Sequence, residues 1–237
     1  MNYRCVKKGI FLSRPNRFIA EVMIDGRVHT VHVKNTGRCK ELLLEGATVY
    51  LEESENPNRK TALDLIAVEK MQEDGSFLLI NMDSQIANGV VEEWLPSCGL
   101  FSENLQIRRE VFFGASRFDL FVRDGERRAF IEVKGVTLER EGVALFPDAP
   151  TLRGTKHVKE LADCIKQGFE AYVIFLVQMK GVNGFCPNEN MDPAFSLALR
   201  EARKKGVGVL CVDCRVSPDA IVADQRVELL FGSEAQA

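Results

Sequence analysis

Residues 116–136 read SRFDLFVRDGERRAFIEVKGV, and the organisation of the chain follows outward from this stretch. Apolar and polar residues alternate on both sides of a polar centre, the pattern of two strands joined by a tight reversal. Along 116–122, Arg117 and Asp119 take one face while Phe118, Leu120 and Val122 take the other. Along 128–136, Glu132 and Lys134 share a face, and Ile131 and Val133 take the opposite one. If residues 124–127 form the loop, Asp119 stands against Glu132 and Arg117 against Lys134. If Asp124-Gly125 alone reverse the chain, the strands slide but every side chain keeps its face, whereas a slip of one residue would part the carboxylates. Two acids and two bases therefore meet at one end of a sheet.

Two neighbouring carboxylates repel each other unless a cation joins them, and a hard oxygen site of this kind suits Mg²⁺ or Mn²⁺. Asp119 and Glu132 are the candidate ligands, with the Val133 backbone carbonyl as a further one. Lys134 would orient or activate water or offset charge on phosphorus, while the metal lowers the water's pKa, which is the logic of phosphodiester hydrolysis. The candidate catalytic set is thus Asp119, Glu132 and Lys134. The competing account is a solvated ion-pair cluster of little energetic weight.

The surroundings form an α/β module. SQIANGVVEEWL at 84–95 reads as a helix capped by Ser84, followed by strands at 106–113, 116–122 and 128–136. Glu92 on that helix or Glu110 on the first strand is a possible additional metal ligand. Thr155 is expected to cap a helix over 156–167, where Val158, Leu161, Ala162 and Ile165 form an apolar stripe closed by Gly168. Arg153, Lys156 and His157 lie at its entry, where free N–H groups and basic side chains suit a phosphate. AYVIFLVQM at 171–179 is apolar on both faces, as a central buried strand is. Asp192-Pro193 starts another helix, Gly206 stops it, and VGVLCVD is expected as the last strand. Cys211 and Cys214 have CxxC spacing but lack further ligands for a zinc site; they read as small apolar strand residues.

Upstream, short strands are expected near 10–12 and at 17–24, 27–33, 47–53 and 61–68, with Asp25-Gly26 as a hairpin turn and a short helix over 38–46 stopped by Gly46. Three strands, a helix and two strands is the order of an OB-fold barrel, a frequent oligonucleotide platform. Arg14, Arg17, Lys34, Arg38 and Lys40 are candidates for such a surface, together with Arg117, Arg153, Lys156 and His157 in the second module. The expected fold is all-β plus α/β: an OB-like barrel over 1–83 and a nuclease-like αβββαβ domain over 84–237.

Asp119 with Glu132-Val133-Lys134 in this order of elements resembles the PD-(D/E)XK nuclease superfamily, with Phe118 where its name has proline. GASRFDLFV (114–122), IEVKGVTLE (131–139), LFPDAPTLRGTKHVKEL (145–161), FLVQM (175–179) and VKNTGRCKELL (33–43) are similar to the sugar fermentation stimulation protein A family. The resemblance covers nearly the whole chain. It implies a cytoplasmic bacterial or archaeal protein that binds DNA and is tied by name to regulation of sugar catabolism, maltose use in particular.

With 237 residues, 46% hydrophobic and 27% charged, the chain has the makings of a folded core. The net charge of −3 gives no field for binding nucleic acid by the whole molecule. That average conceals nine Lys/Arg against two Asp/Glu in residues 1–40 and three against ten in 41–83. Seven scattered cysteines and a charged N-terminal stretch suggest a reducing cytoplasm, and no apolar run approaches the ~20 residues of a membrane helix. DNA is the expected partner; an OB module also permits RNA. A Mg²⁺- or Mn²⁺-dependent nuclease and a non-enzymatic DNA-binding regulator of sugar use are the two functions in view.

Overall fold

The computed structural model describes residues 1–231 other than 36, 38 and 57; Arg38 lies outside the described residues. The chain forms two compact units, one of residues 1–86 with 178–180 and 214–222, the other of 87–177, 181–213 and the remainder.

In the first unit, β1 (Val6–Asn16), β2 (Ile19–Ile24), β3 (Arg27–Val33), β4 (Thr48–Glu53), β5 (Leu63–Met71) and β6 (Phe77–Asn81) form a sheet in the order β3-β2-β1-β4-β5-β6. Parallel pairing of β3 with β5 closes the first five strands into a barrel. Asp25 and Gly26 both have positive φ, as a type I′ turn requires. Bulges after Phe11 and Ser13 allow β1 to bend between its two partners. Gly9 sits at the tightest point, where a Cβ would stand 2.5 Å from Val22 Cγ1. Phe11, Val22, Val31, Val49, Leu51, Leu65 and Val68 fill the interior.

The helix expected over 38–46 is not formed. Cys39 has φ +45°, outside helical space, and the amides of Leu42 and Leu43 both return to its carbonyl, making a single turn. That turn buries Leu42 and Leu43 and leaves Leu44 exposed, so three consecutive leucines supply no helical stripe. Strand β6 was not foreseen; it follows a turn across Gln72–Ser76.

The second unit contains α1 (Ala87–Trp94), β7 (Gln106–Phe113), β8 (Ser116–Asp124), β9 (Arg127–Val136), β10 (Leu138–Arg140), β11 (Val143–Phe146), α2 (Leu152–Lys166), β12 (Glu170–Val177), β13 (Gly184–Pro187) and α3 (Pro193–Lys204). β14 (Gly208–Ser217) and β15 (Ala220–Arg226) complete the large sheet, ordered β15-β14-β12-β9-β8-β7. An antiparallel meander β7-β8-β9 is extended by parallel β12 and β14. Parallel β12, central and flanked on both sides, is buried along nearly its whole length, as its apolar sequence requires.

Three expectations about element ends are corrected. Helix α1 starts at Ala87, and the Ser84 hydroxyl donates to the Lys34 carbonyl instead of capping it. Helix α2 starts at Leu152, one turn before the expected place, because Thr151 Oγ1 accepts the Gly154 amide. VGVLCVD is followed by β15 and is not the last strand. Asp192 caps α3 as expected, accepting from the Phe195 amide. Cys211 and Cys214 are buried in β14. No helix among the described residues is long and apolar enough to cross a membrane.

Candidate active site

The hairpin turns at Gly125-Glu126, with Asp124 paired to Arg127, and the ladder runs up to Leu120↔Ile131. That is the register that sets Asp119 against Glu132, reached with a shorter loop than 124–127. Past Leu120 the two strands part. The amide of Val133 donates to Asp119 Oδ2 at 2.8 Å, so a side chain takes the place of a strand carbonyl. Strict alternation along β8 also fails here, since the rings of Phe118 and Phe121 both pack on Phe130. Across the sheet, Glu110 has φ +58° within β7, between the pairs Arg109↔Leu120 and Val111↔Phe118. The kink and the fork thus coincide at Asp119.

Both carboxylates are drawn inward. Asp119 Oδ1 accepts from Asn88 Nδ2 of α1 at 3.0 Å. Glu132, 3% exposed, receives two donors on one oxygen: Lys134 Nζ and His157 Nδ1, each 2.6 Å from Oε1. Its other oxygen, Oε2, is buried with no hydrogen-bond partner. Burial, and next the charge of Glu132, push the Asp119 carboxyl up to about 6 against the opposing pull of the Val133 amide, Lys134 and Asn88. Burial works against ionised Glu132 too, but the His157 hydrogen bond and Lys134 outweigh it and hold its carboxyl below the usual range. One carboxylate is secured as an anion beside another that resists ionising, an arrangement a cation would relieve.

Asn88 and the inward turn of His157 were not read from the sequence. His157, assigned there to phosphate contact, is 5% exposed and bonded to Glu132. It lies on the buried side of α2 with Gly154, Val158 and Leu161; Arg153 Nε, at 3.5 Å, faces its other nitrogen. The two candidate extra ligands are occupied elsewhere: Glu92 pairs with Arg109, and Glu110 with Arg117 at 2.6 Å. Among the described residues no group of three or more His, Cys, Asp or Glu side chains is arranged to hold a metal. The protein side chains offered at the fork are therefore Asp119 and Glu132 alone.

The basic candidates scatter. Lys34 is held by Glu52, Asp64 and Asp83 within 3.2–3.4 Å, carboxylates with which a phosphate there would have to compete. Arg14 donates to the carbonyls of Arg17 and Asn35; Arg17 lies over the Phe18 ring. Lys40, Arg153 and Lys156 are exposed, Lys156 leaning to the Ala115 carbonyl.

A closed OB barrel in one chain with a mixed α/β domain that carries Asp119, Glu132 and Lys134 at a strand fork defines a class of OB-linked α/β proteins. Comparison gives the family. Residues 12–80 match the model of the SfsA N-terminal OB domain, and residues 85–220 that of the sugar fermentation stimulation protein RE domain. A sugar fermentation stimulation protein homolog of Desulfitobacterium hafniense (strain DSM 10664 / DCB-2) is 52% identical over 227 residues, covering 96% of this chain and 97% of that one. Its counterpart in Ruminiclostridium cellulolyticum is 50% identical over 229 residues, 97% and 99% of the two chains. A solved structure described as Pyrococcus furiosus SfsA in complex with Ca²⁺ superposes with a TM-score of 0.83 at 26% identity, covering 97% and 98%. The chain belongs to the sugar fermentation stimulation protein family.

Proposed function

We propose that the protein is a divalent-cation-dependent phosphodiesterase acting on DNA in the cytoplasm, its OB domain contacting the nucleic acid. The observation that carries this reading is the buried, unpartnered Glu132 Oε2 beside Asp119. An orphaned carboxylate oxygen is costly unless a ligand completes it, and hard oxygen donors fit Mg²⁺ or Mn²⁺. Asp119, Glu132 and the Val133 carbonyl would hold the ion, which when bound supplies an acidified water and charge compensation at phosphorus. The Ca²⁺ of the Pyrococcus furiosus structure supports a divalent cation in the family.

The chain's own groups have separable tasks. His157 and Lys134 fill Oε1 of Glu132 and so leave Oε2 as its one open oxygen. Asn88 and the Val133 amide fix the Asp119 carboxylate at the fork. Lys134, with a side chain 15% exposed, retains N–H donors able to meet a phosphoryl oxygen or to orient water. Incubation of the purified protein with plasmid and single-stranded DNA in Mn²⁺ or Mg²⁺ tests this. Cutting is expected, and loss of at least 100-fold in Lys134→Ala; equal cutting by the variant would remove this site as its source.

A second reading, a non-enzymatic and sequence-nonspecific DNA-binding regulator of sugar catabolism, draws support from the Glu132–Lys134 ion pair, which offsets the charge of one carboxylate without a metal. Salt-sensitive DNA binding with no cutting in either metal would favour it.

A further inference from the structure

Six arginines stand on the β7-β8-β9 meander in two groups. Arg109, Arg117 and Arg127 are paired with Glu92, Glu110 and Glu170. Arg108, Arg123 and Arg128 have no carboxylate within ion-pair distance among the described residues, and they line a cleft of about 530 Å³ with Gln106, Phe121 and Glu126. The register brings them together: Arg108 stands opposite Phe121, and Arg123 opposite both Gln106 and Arg128. Like charges directly opposed across antiparallel strands destabilise a sheet. Here the Arg123↔Arg128 pair is relieved by the stacking of Arg128 over Phe169 at 4.7 Å and by Glu126 at the rim.

Neighbouring strands are ~4.8 Å apart, and Arg128 lies two strands across and two residues along from the level of Arg108, so their backbones are ~12 Å from each other. That span is too wide for one phosphate and suits a row of them. Guanidinium forks match phosphate oxygens two by two, and the half-buried Phe121 ring lies between them. Arg128 also shares β9 with Glu132, four residues and ~13 Å along the strand, equal to about four base-pair rises of ~3.4 Å along a DNA duplex axis.

We propose that the Arg108–Arg123–Arg128 cleft binds the phosphodiester backbone of DNA and leads it towards the Asp119–Glu132 fork. This rests on the DNA reading above and adds a surface to it. The test is a salt titration of labelled DNA binding by anisotropy, with the full chain and no divalent cation. R108Q/R123Q is expected to make the slope of log affinity against log salt shallower by about two, and R108Q alone, on the edge strand, by about one. R108K/R123K is expected to keep most of the slope, and K204Q/K205Q, on the exposed end of α3, all of it. R108Q/R123Q should melt no lower than the parent, because a repulsion is removed.

Wild-type affinity and slope in R108Q/R123Q would overturn the cleft while leaving the DNA reading intact. Absence of DNA binding by the parent at low salt would overturn both. Displacement of DNA by inorganic phosphate or polyglutamate as readily as by unlabelled DNA would overturn a strand-binding cleft, and stronger displacement by RNA of the same sequence would overturn DNA as its ligand.

Discussion

The two carboxylates at the fork have opposite electrostatic fates, and this has measurable consequences. A carboxyl raised on folding, as Asp119 is to about 6, favours the fold while protonated. Its contribution is greatest below the unfolded value near ~3.9, declines as pH climbs through about 6, and stays low above it. In chelator, Asp119→Asn should therefore be the more stable protein near pH 7, by up to about 3 kcal/mol, and the difference should vanish towards pH 4; urea melts across that range measure it. His157 acts on the partner. His157→Ala should weaken Mn²⁺ binding tenfold or more, read by the paramagnetic signal of free ion, while His157→Asn, which can present an N–H near the same place, should recover part of it; unchanged affinity in the Ala variant would remove the positioning role. Asp119, Glu132 and Lys134 were legible because the hairpin register, Leu120 against Ile131, brings Asp119 level with Glu132 even where alternation fails. Asn88 and His157 were not: they sit on helices 31 and 25 residues from the groups they touch, and nothing local marks the pairing. The GTKH segment signalled a helix start but not which way the imidazole turns.

At the level of elements, long strands announced themselves and short ones did not. Strand β7 coincides with the expected 106–113, and the Asp192-Pro193 start of α3 was plain from its cap chemistry. Strands β10, β11 and β13 have only three or four residues, too few for a period of two to register, and their small sheet adds the distant β13 to the β10-β11 hairpin. The start of α2 was misplaced because two threonines compete for the cap, and Gly154 decides between them: a Cβ there would meet Thr151 Oγ1 at 2.7 Å. Thr151→Ala should cost about 1 kcal/mol in chemical denaturation. In the barrel, closure of β3 onto β5 is tied at Asp64, which His32, Lys34 and Arg59 meet within 2.6–3.2 Å. Burial opposes its charge, but Arg59, Lys34 and His32 together hold the carboxyl below its usual value. That stabilisation is present above the unfolded pKa near ~3.9 and fades as pH falls below it. Asp64→Asn should accordingly lose about 3 kcal/mol at neutral pH, a deficit that narrows as pH falls below ~3.9, as followed by urea midpoints.

For the whole molecule, a net charge of −3 coexists with a local concentration of arginine on the β7-β8-β9 meander. Ligand linkage offers a global check: a cation at 100 times its dissociation constant should add about 2.7 kcal/mol to the stability of the unit that binds it, and Glu132→Gln should abolish that gain in calorimetry. The N-terminal unit recruits residues 178–180 and 214–222 from far along the chain. A fragment ending at residue 83 would lack those pieces, and a graft of one relative's barrel onto another's α/β part would always carry foreign strand ends. Chimeras joined at residue 83 should therefore fold less well than the parent chains, which soluble yield and thermal melts would read, because the barrel's partners lie on both sides of that junction in sequence.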